Sequence, residues 1–185
     1  MTTTTPPLTL EEFLHLPETK PASEYTNGQV FQKPMPKSRH SRLQIKVCTA
    51  INDVMEKEKI AYAFPELRCT FGGRSIVPDV AILFWQSIEF DENGELIDDV
   101  KIAPDWTIEI LSPEQSSNRV TGNILHCLQH GCQLGWLIDP DDRSILGFLP
   151  HQAPVMCTES DRIPVPDNIP LHLTTDQVFS WLKMA

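Results

Sequence analysis

Apolar residues recur along this chain with two different periods. From His40 to Lys59 they fall three and four apart, at Leu43, Val47, Ala50, Ile51 and Val54. That spacing lines one face of an α-helix. Val120, Ile124, Cys127 and Leu128 repeat the pattern, and Gly131 follows as a C-terminal cap. The other period belongs to short runs of strand-forming residues. These are Ile60 to Phe64, Leu67 to Phe71, Ile76 to Trp85, Asp105 to Leu111, Leu134 to Asp139 and Ser144 to Leu149. Gly72-Gly73 and Pro140-Asp141-Asp142 separate some of these runs as turns, and Asp91 to Glu95 reads as an exposed acidic loop.

Local signals fill in the ends. Thr9 and Glu12 have the spacing of a capping box, which predicts a short helix that Pro17 stops. Asn27-Gly28 lies between strand-like flanks, the strongest short hairpin signal. Ser112-Pro113 has the signature of a helix start, with Ser116 and Ser117 as later alternatives. Thr174 to Lys183 reads as a last short helix. The order is helix, hairpin, long helix, three or four strands, long helix, hairpin. It predicts an α/β (α+β) fold with a mixed central sheet and a long helix on each side. Residues 1–185 read as one domain, with the core over 8–150 and a proline-rich tail over 151–185.

Composition excludes several classes. The 185 residues, 41% apolar, suffice for one domain with a real core. No apolar run nears the ~20 residues that span a bilayer, so no membrane role is expected. Met1-Thr2-Thr3-Thr4-Thr5-Pro6-Pro7 lacks the basic and apolar regions of a secretory signal, so the expected location is cytoplasmic. The five cysteines form no CxxC pair and read as free, mostly buried thiols. No Cys/His cluster has zinc-ligand spacing.

A net charge of −10 opposes non-specific nucleic-acid binding, which relies on Lys and Arg neutralising phosphates. Lys33, Lys37, Arg39, Arg42 and Lys46 form one local basic cluster, which reads equally as a solvated helix flank. Phe84, Trp85 and Phe90 read as interface or core, with core the safer reading.

The chemistry concentrates in Ile76-Val77-Pro78-Asp79-Val80-Ala81-Ile82 and Trp106-Thr107-Ile108-Glu109-Ile110-Leu111-Ser112. Each puts one carboxylate inside a strand-forming apolar run. Such a charge is costly to bury unless something binds it. Either carboxylate alone reads as a strand-end residue or half of a buried ion pair. Together they point to a shared ligand, and a hard divalent cation is the usual one. Strand alternation puts Thr107, Glu109 and Leu111 on one face and Ile108 and Ile110 on the other. Pro78 has no N–H and suits a bulge or a strand edge.

A Pro-Asp strand followed by an acidic strand resembles the PD-(D/E)xK nuclease superfamily. Glu24-Tyr25-Thr26-Asn27-Gly28, Pro36 with His40, Val77-Pro78-Asp79-Val80, Glu109-Ile110-Leu111-Ser112-Pro113 and Gly131 to Trp136-Leu137-Ile138-Asp139-Pro140 occur in this order. As a set, over residues 8–150, they resemble the Uma family of bacterial restriction-endonuclease-type proteins. The resemblance implies a restriction-endonuclease-like core and metal-dependent hydrolysis of DNA. Asp79 and Glu109 would hold Mg²⁺ or Mn²⁺ with the carbonyl of Ile110. The metal would activate water and stabilise charge on the phosphate. Glu24 and His40 match an early acidic residue and a histidine of the family; His40 also reads as a structural residue of the helix start. The resemblance implies a homodimer as well, since two strands need two sites.

One element departs from the pattern. The superfamily motif puts a lysine two residues after the second acid, where this chain has Leu111. The Uma pattern moves that lysine to the following helix, where this chain has Asn123. Helical spacing puts Asn123 on the border of the inward face, where it needs partners. Arg119, one turn earlier, is the nearest cation, and it reads equally as a surface arginine. Glu66 or Arg68 would lie near the metal if their strand pairs with that of Asp79; otherwise they read as a surface ion pair.

Two functions therefore remain. One is a metal-dependent endonuclease acting on DNA, with Asp79, Glu109, Asn123, Arg119, Glu24 and His40 as its site. The other is a catalytically inactive nuclease-fold protein acting as a binding or regulatory module. Other α/β enzyme chemistry finds no motif, since there is no glycine-rich phosphate loop, no GxSxG elbow and no suggestive Cys–His pair.

Overall fold

Helix α1 (Leu10–Leu14) begins on the expected capping box. The Glu12 amide donates to Thr9 Oγ1 at 3.2 Å, and Glu12 Oε2 accepts from the Thr9 amide at 2.8 Å. Strands β1 (Ser23–Thr26) and β2 (Gln29–Gln32) form the first hairpin. At its tip Asn27 and Gly28 take φ of 50° and 81°, the left-handed pair a two-residue turn needs. Helix α2 (Ser38–Met55) follows, then β3 (Ala61–Pro65), β4 (Cys69–Phe71), β5 (Arg74–Ile76), β6 (Val80–Phe84) and β7 (Trp106–Ile110). Helix α3 (Ser117–Gln129), β8 (Leu134–Asp139), β9 (Ser144–Phe148), β10 (Val155–Thr158) and α4 (Thr175–Ser180) complete the chain. This computed structural model describes residues 8–113, 115–167 and 169–184.

The strands form two sheets. The smaller has the order β2-β1-β5-β4, and the larger has β10-β9-β8-β7-β6-β3. All neighbours in the larger sheet are antiparallel except β7 and β8, which are parallel. A parallel pair needs a crossover, and α3 supplies it. The fold is the expected mixed α/β architecture.

Four local expectations change. The run Ile76 to Trp85 is not one strand, because β5 belongs to the small sheet and β6 to the large one. Val77-Pro78-Asp79 carries the chain between them, and Pro78 cannot donate to a ladder. Helix α3 starts not at Ser112 but after Ser116, one of the two later alternatives. Strand β10 arises inside the proline-rich tail, where pairing with β9 supplies what local pattern lacks. Phe90 is 42% exposed and is not a core residue.

Helix α2 packs Leu43, Val47 and Ile51 against the face of the large sheet that carries Val80, Ile82, Ile108 and Ile110. Tail residues Ile163, Ile169, Leu171, Val178 and Phe179 join the same core, so the tail is integral to it. On the other face Val120 and Ile124 of α3 meet Leu137 and Phe148. Gly135 makes that approach possible, since a Cβ there would lie 2.3 Å from Ile124 Cγ2. Asn52 covers the open edge of the sheet. Its side chain accepts from the Ala63 amide at 2.7 Å and donates to the Ala63 carbonyl at 3.1 Å. All five cysteines are free and buried. No helix among the described residues is long and apolar enough to cross a membrane.

Candidate functional site

The two sheets meet where the chain passes from β5 to β6, and the carboxylates gather there. Val80 pairs with Ile108 in the antiparallel β6–β7 ladder. Asp79, one residue earlier, is therefore level with Glu109. The first turn of α2 brings His40 to the same point, and the end of β2 brings Lys33.

Asp79 is fully buried, with both oxygens engaged. Oδ1 accepts from Lys33 Nζ at 2.6 Å. Oδ2 accepts from the Ile110 amide at 2.8 Å and meets His40 Nε2 at 3.0 Å. Gln44 Nε2 donates to the Asp79 carbonyl at 2.8 Å, fixing the backbone as well. Glu109 is 2% exposed and held far less tightly. Its Oε2 lies 3.9 Å from Lys33 Nζ, beyond hydrogen-bond reach, and its buried Oε1 has no hydrogen-bond partner. Glu24, on β1, is also buried. Its Oε1 accepts from the Val77 amide at 2.9 Å, and its Oε2 from Asn123 Nδ2 at 3.0 Å.

Burial and charge pull these groups apart electrostatically. Burial works to raise Asp79, but the Lys33 ammonium and the His40 contacts outweigh it and hold the carboxyl well below the ordinary carboxylate range. Burial pushes Glu109 well above that range; Lys33 only partly offsets it, and the Asp79 and Glu24 charges add to the rise. Burial opposes the charge on Lys33, yet Asp79, Glu109 and Glu24 together raise it above its ordinary value. The cluster is thus an ionised Asp79–Lys33 pair beside a carboxyl that resists ionisation.

The residues singled out from the sequence separate as follows. Asp79, Glu109, Glu24, His40, Asn123 and Ile110 come together. Ile110 meets Asp79 through its amide. Arg119 stays exposed at the mouth, its guanidinium 4.2 Å from the Phe31 ring centroid. It shares a pocket with Glu24, Lys33, Glu109 and Asn123. Glu66 is exposed and reaches Asp79 only by its amide, 3.2 Å from the Asp79 carbonyl. Arg68 pairs with Glu18 at 2.7 Å, the surface reading of that residue. In the basic cluster, Arg39 pairs with Asp141 at the surface at 2.6 Å, while Lys33 turns inward.

Lys33 is the residue that sequence reasoning left in the wrong group. The amine absent at Leu111 and Asn123 stands in the site on this residue instead. A signal for it exists. The Asn27-Gly28 turn pairs Glu24 with Phe31, and alternation then puts Lys33 on the face of Glu24.

Among the described residues, no group of three or more His, Cys, Asp or Glu side chains could hold a metal. Two carboxylates still suit Mg²⁺ or Mn²⁺, since Mg²⁺ is commonly held by one or two carboxylates, with waters and substrate phosphates. The Lys33 ammonium, in contact with Asp79 and facing Glu109, is a stand-in cation among hard oxygen donors. The unpartnered Glu109 Oε1 is a further donor. The residues fit the metal.

The family model Uma2, described as "Putative restriction endonuclease", matches residues 10–178. The chain belongs to the Uma2 family. The crystal structure of a protein described as a putative nuclease from Anabaena variabilis is similar to it, with a TM-score of 0.94 and 52% sequence identity. That similarity covers 96% of this chain and 100% of the other. No curated protein matches the chain. Within this Uma2 member, the junction of the two sheets is where the buried carboxylates converge, and the restriction-endonuclease-like fold positions them.

Proposed function

We propose that this Uma2 protein is a metal-dependent endonuclease that hydrolyses DNA phosphodiester bonds at the Asp79–Glu109 pair. One observation carries the reading: two buried carboxylates, Asp79 just ahead of β6 and Glu109 on the neighbouring β7, face a single cation position beside a pocket that Lys33, Glu109 and Arg119 line. Asp79 and Glu109 would hold Mg²⁺ or Mn²⁺, which when bound activates water and neutralises charge on the scissile phosphate. The Ile110 amide and His40 orient Asp79. The Val77 amide and Asn123 fix Glu24. Arg119 supplies a local positive charge for the DNA backbone on an otherwise acidic chain. The reading places the protein in the cytoplasm, acting as a homodimer so that both strands are cut.

A second reading has one observation in its favour. Lys33 already satisfies Asp79, which suits a nuclease-fold protein that has exchanged its metal for a permanent ion pair and now serves as a binding module.

Calorimetric titration with Mn²⁺ and a plasmid-nicking assay on wild type and Asp79→Asn decide between them. The endonuclease reading expects Mn²⁺ binding and nicking in the wild type, with both lost in Asp79→Asn. Equal Mn²⁺ affinity in the two proteins sinks the site assignment. Metal binding without nicking in the wild type favours the second reading.

A further inference from the structure

The geometry points to Lys33 as a resident cation of this site. It competes with a divalent metal for the two carboxylates, yields them when the metal binds, and then serves the substrate phosphate. This inference rests on the endonuclease reading for the phosphate and on the structure alone for the competition.

Charge is the first argument. One ammonium faces Asp79 at 2.6 Å and Glu109 at 3.9 Å, with the Glu24 charge also acting on it. Lys33 brings one positive charge, enough for the ionised Asp79, whereas a divalent cation offsets two carboxylates. Hydrogen bonding is the second. Lys33 Nζ donates to Asp79 Oδ1 and, at 2.7 Å, to the Val77 carbonyl. Its remaining donor has no oxygen of Glu109 within hydrogen-bond reach, and Glu109 Oε1 is buried without a partner. A purely structural ion pair would be expected to satisfy both acids, but this one satisfies only Asp79.

Mobility is the third argument. The Lys33 backbone is tied down, since its amide donates to the Ala22 carbonyl at 2.9 Å. Only the four-carbon side chain has to swing, and an ammonium on such a stem is a mobile point charge. The side chain is 11% exposed and lies on the wall of the pocket shared with Phe31 and Arg119. A phosphate oxygen there is the acceptor of matching charge once Asp79 is engaged elsewhere.

Mn²⁺ calorimetry and thermal unfolding of wild type, Lys33→Met and Lys33→Gln test this. Lys33→Gln keeps a donor for the Val77 carbonyl in case Lys33→Met does not fold. Both variants should bind Mn²⁺ at least tenfold more tightly than the wild type. They should also unfold at lower temperature without metal and gain more from its addition. Plasmid nicking with Mn²⁺ should fall at least a hundredfold. Mn²⁺ affinity equal to or below the wild type in both variants overturns the competition. Tighter binding with undiminished nicking overturns the role at the phosphate. A wild type that nicks no DNA defeats the endonuclease reading and the phosphate role with it, while the affinity comparison still decides the competition.

Discussion

Asn123 and Glu24, 99 residues apart in the chain, are joined by a 3.0 Å hydrogen bond from Nδ2 to Oε2 that ties α3 to the first hairpin. With the Val77 amide on the other oxygen, it gives the buried Glu24 carboxylate one donor on each side. Asn123→Ala removes one of them. Leaving a buried acceptor short costs about 1–3 kcal/mol. In a domain of this size each kcal/mol lowers Tm by about 2–4 °C. Calorimetric unfolding should therefore show a drop of several degrees. An unchanged midpoint would mean that water replaces the Asn123 amide.

Asp79 and Glu109 should give opposite signatures against pH. The folded pKa of Asp79 lies below its unfolded value, so its stabilisation is full above the ordinary carboxylate range and is lost as pH falls through and below it. The folded pKa of Glu109 lies above its unfolded value. Its cost is absent in acid and grows as pH rises past the unfolded carboxylate pKa, because only the unfolded chain ionises freely there. Urea unfolding across pH should find Glu109→Gln more stable than the wild type at pH 7, with the gap closing below about pH 4. Asp79→Asn should be less stable at pH 7 by about 3–5 kcal/mol, since it leaves the Lys33 charge buried and unpaired. A Glu109→Gln protein weaker than the wild type at pH 7 would contradict a raised Glu109.

Gly135 holds the contact of α3 with the large sheet at its limit. A Cβ there would meet Ile124 Cγ2 at 2.3 Å and Thr107 Cγ2 at 3.5 Å. Gly135→Ala should cost about 1–3 kcal/mol, the usual cost of overpacking a dense core. Pairing it with Ile124→Ala, which removes the clashing Cγ2, should destabilise by less than the sum of the two single changes. Additive destabilisation in that double variant would rule out steric conflict as the cause.

Most local signals in the sequence hold where a few neighbouring residues decide the outcome, the Ser112-Pro113 helix start being the exception. Thr9 with Glu12, Asn27-Gly28 and the alternation of Ile108, Glu109 and Ile110 all produce the structures their spacing predicts. Pairing between distant segments was not legible. Whether Ile76 and Val80 share a sheet depends on which strands lie beside them, and Pro78 only shows that a ladder is interrupted. Lys33 belongs to the same class. The hairpin register puts it on the face of Glu24, but its partner Asp79 is 46 residues away and no local signal joins the two.

Arg119 offers a test of where DNA enters. Its guanidinium rests 4.2 Å from the Phe31 ring centroid at the mouth of the pocket, exposed to solvent. An exposed cation–π contact contributes only about 0.5–1 kcal/mol, so Arg119→Ala should shift Tm by no more than a few degrees. Its effect on DNA should be of a different kind. If the backbone runs past this mouth, the substitution removes one phosphate contact. Binding should then weaken several-fold for every duplex sequence alike, and the slope of log affinity against log salt should become shallower by about one. Fluorescence anisotropy with two unrelated duplexes, at several salt concentrations and with Ca²⁺ in place of Mg²⁺, measures both quantities. An unchanged salt slope would remove Arg119 from the DNA path, and a loss confined to one duplex would make it a reader of bases instead.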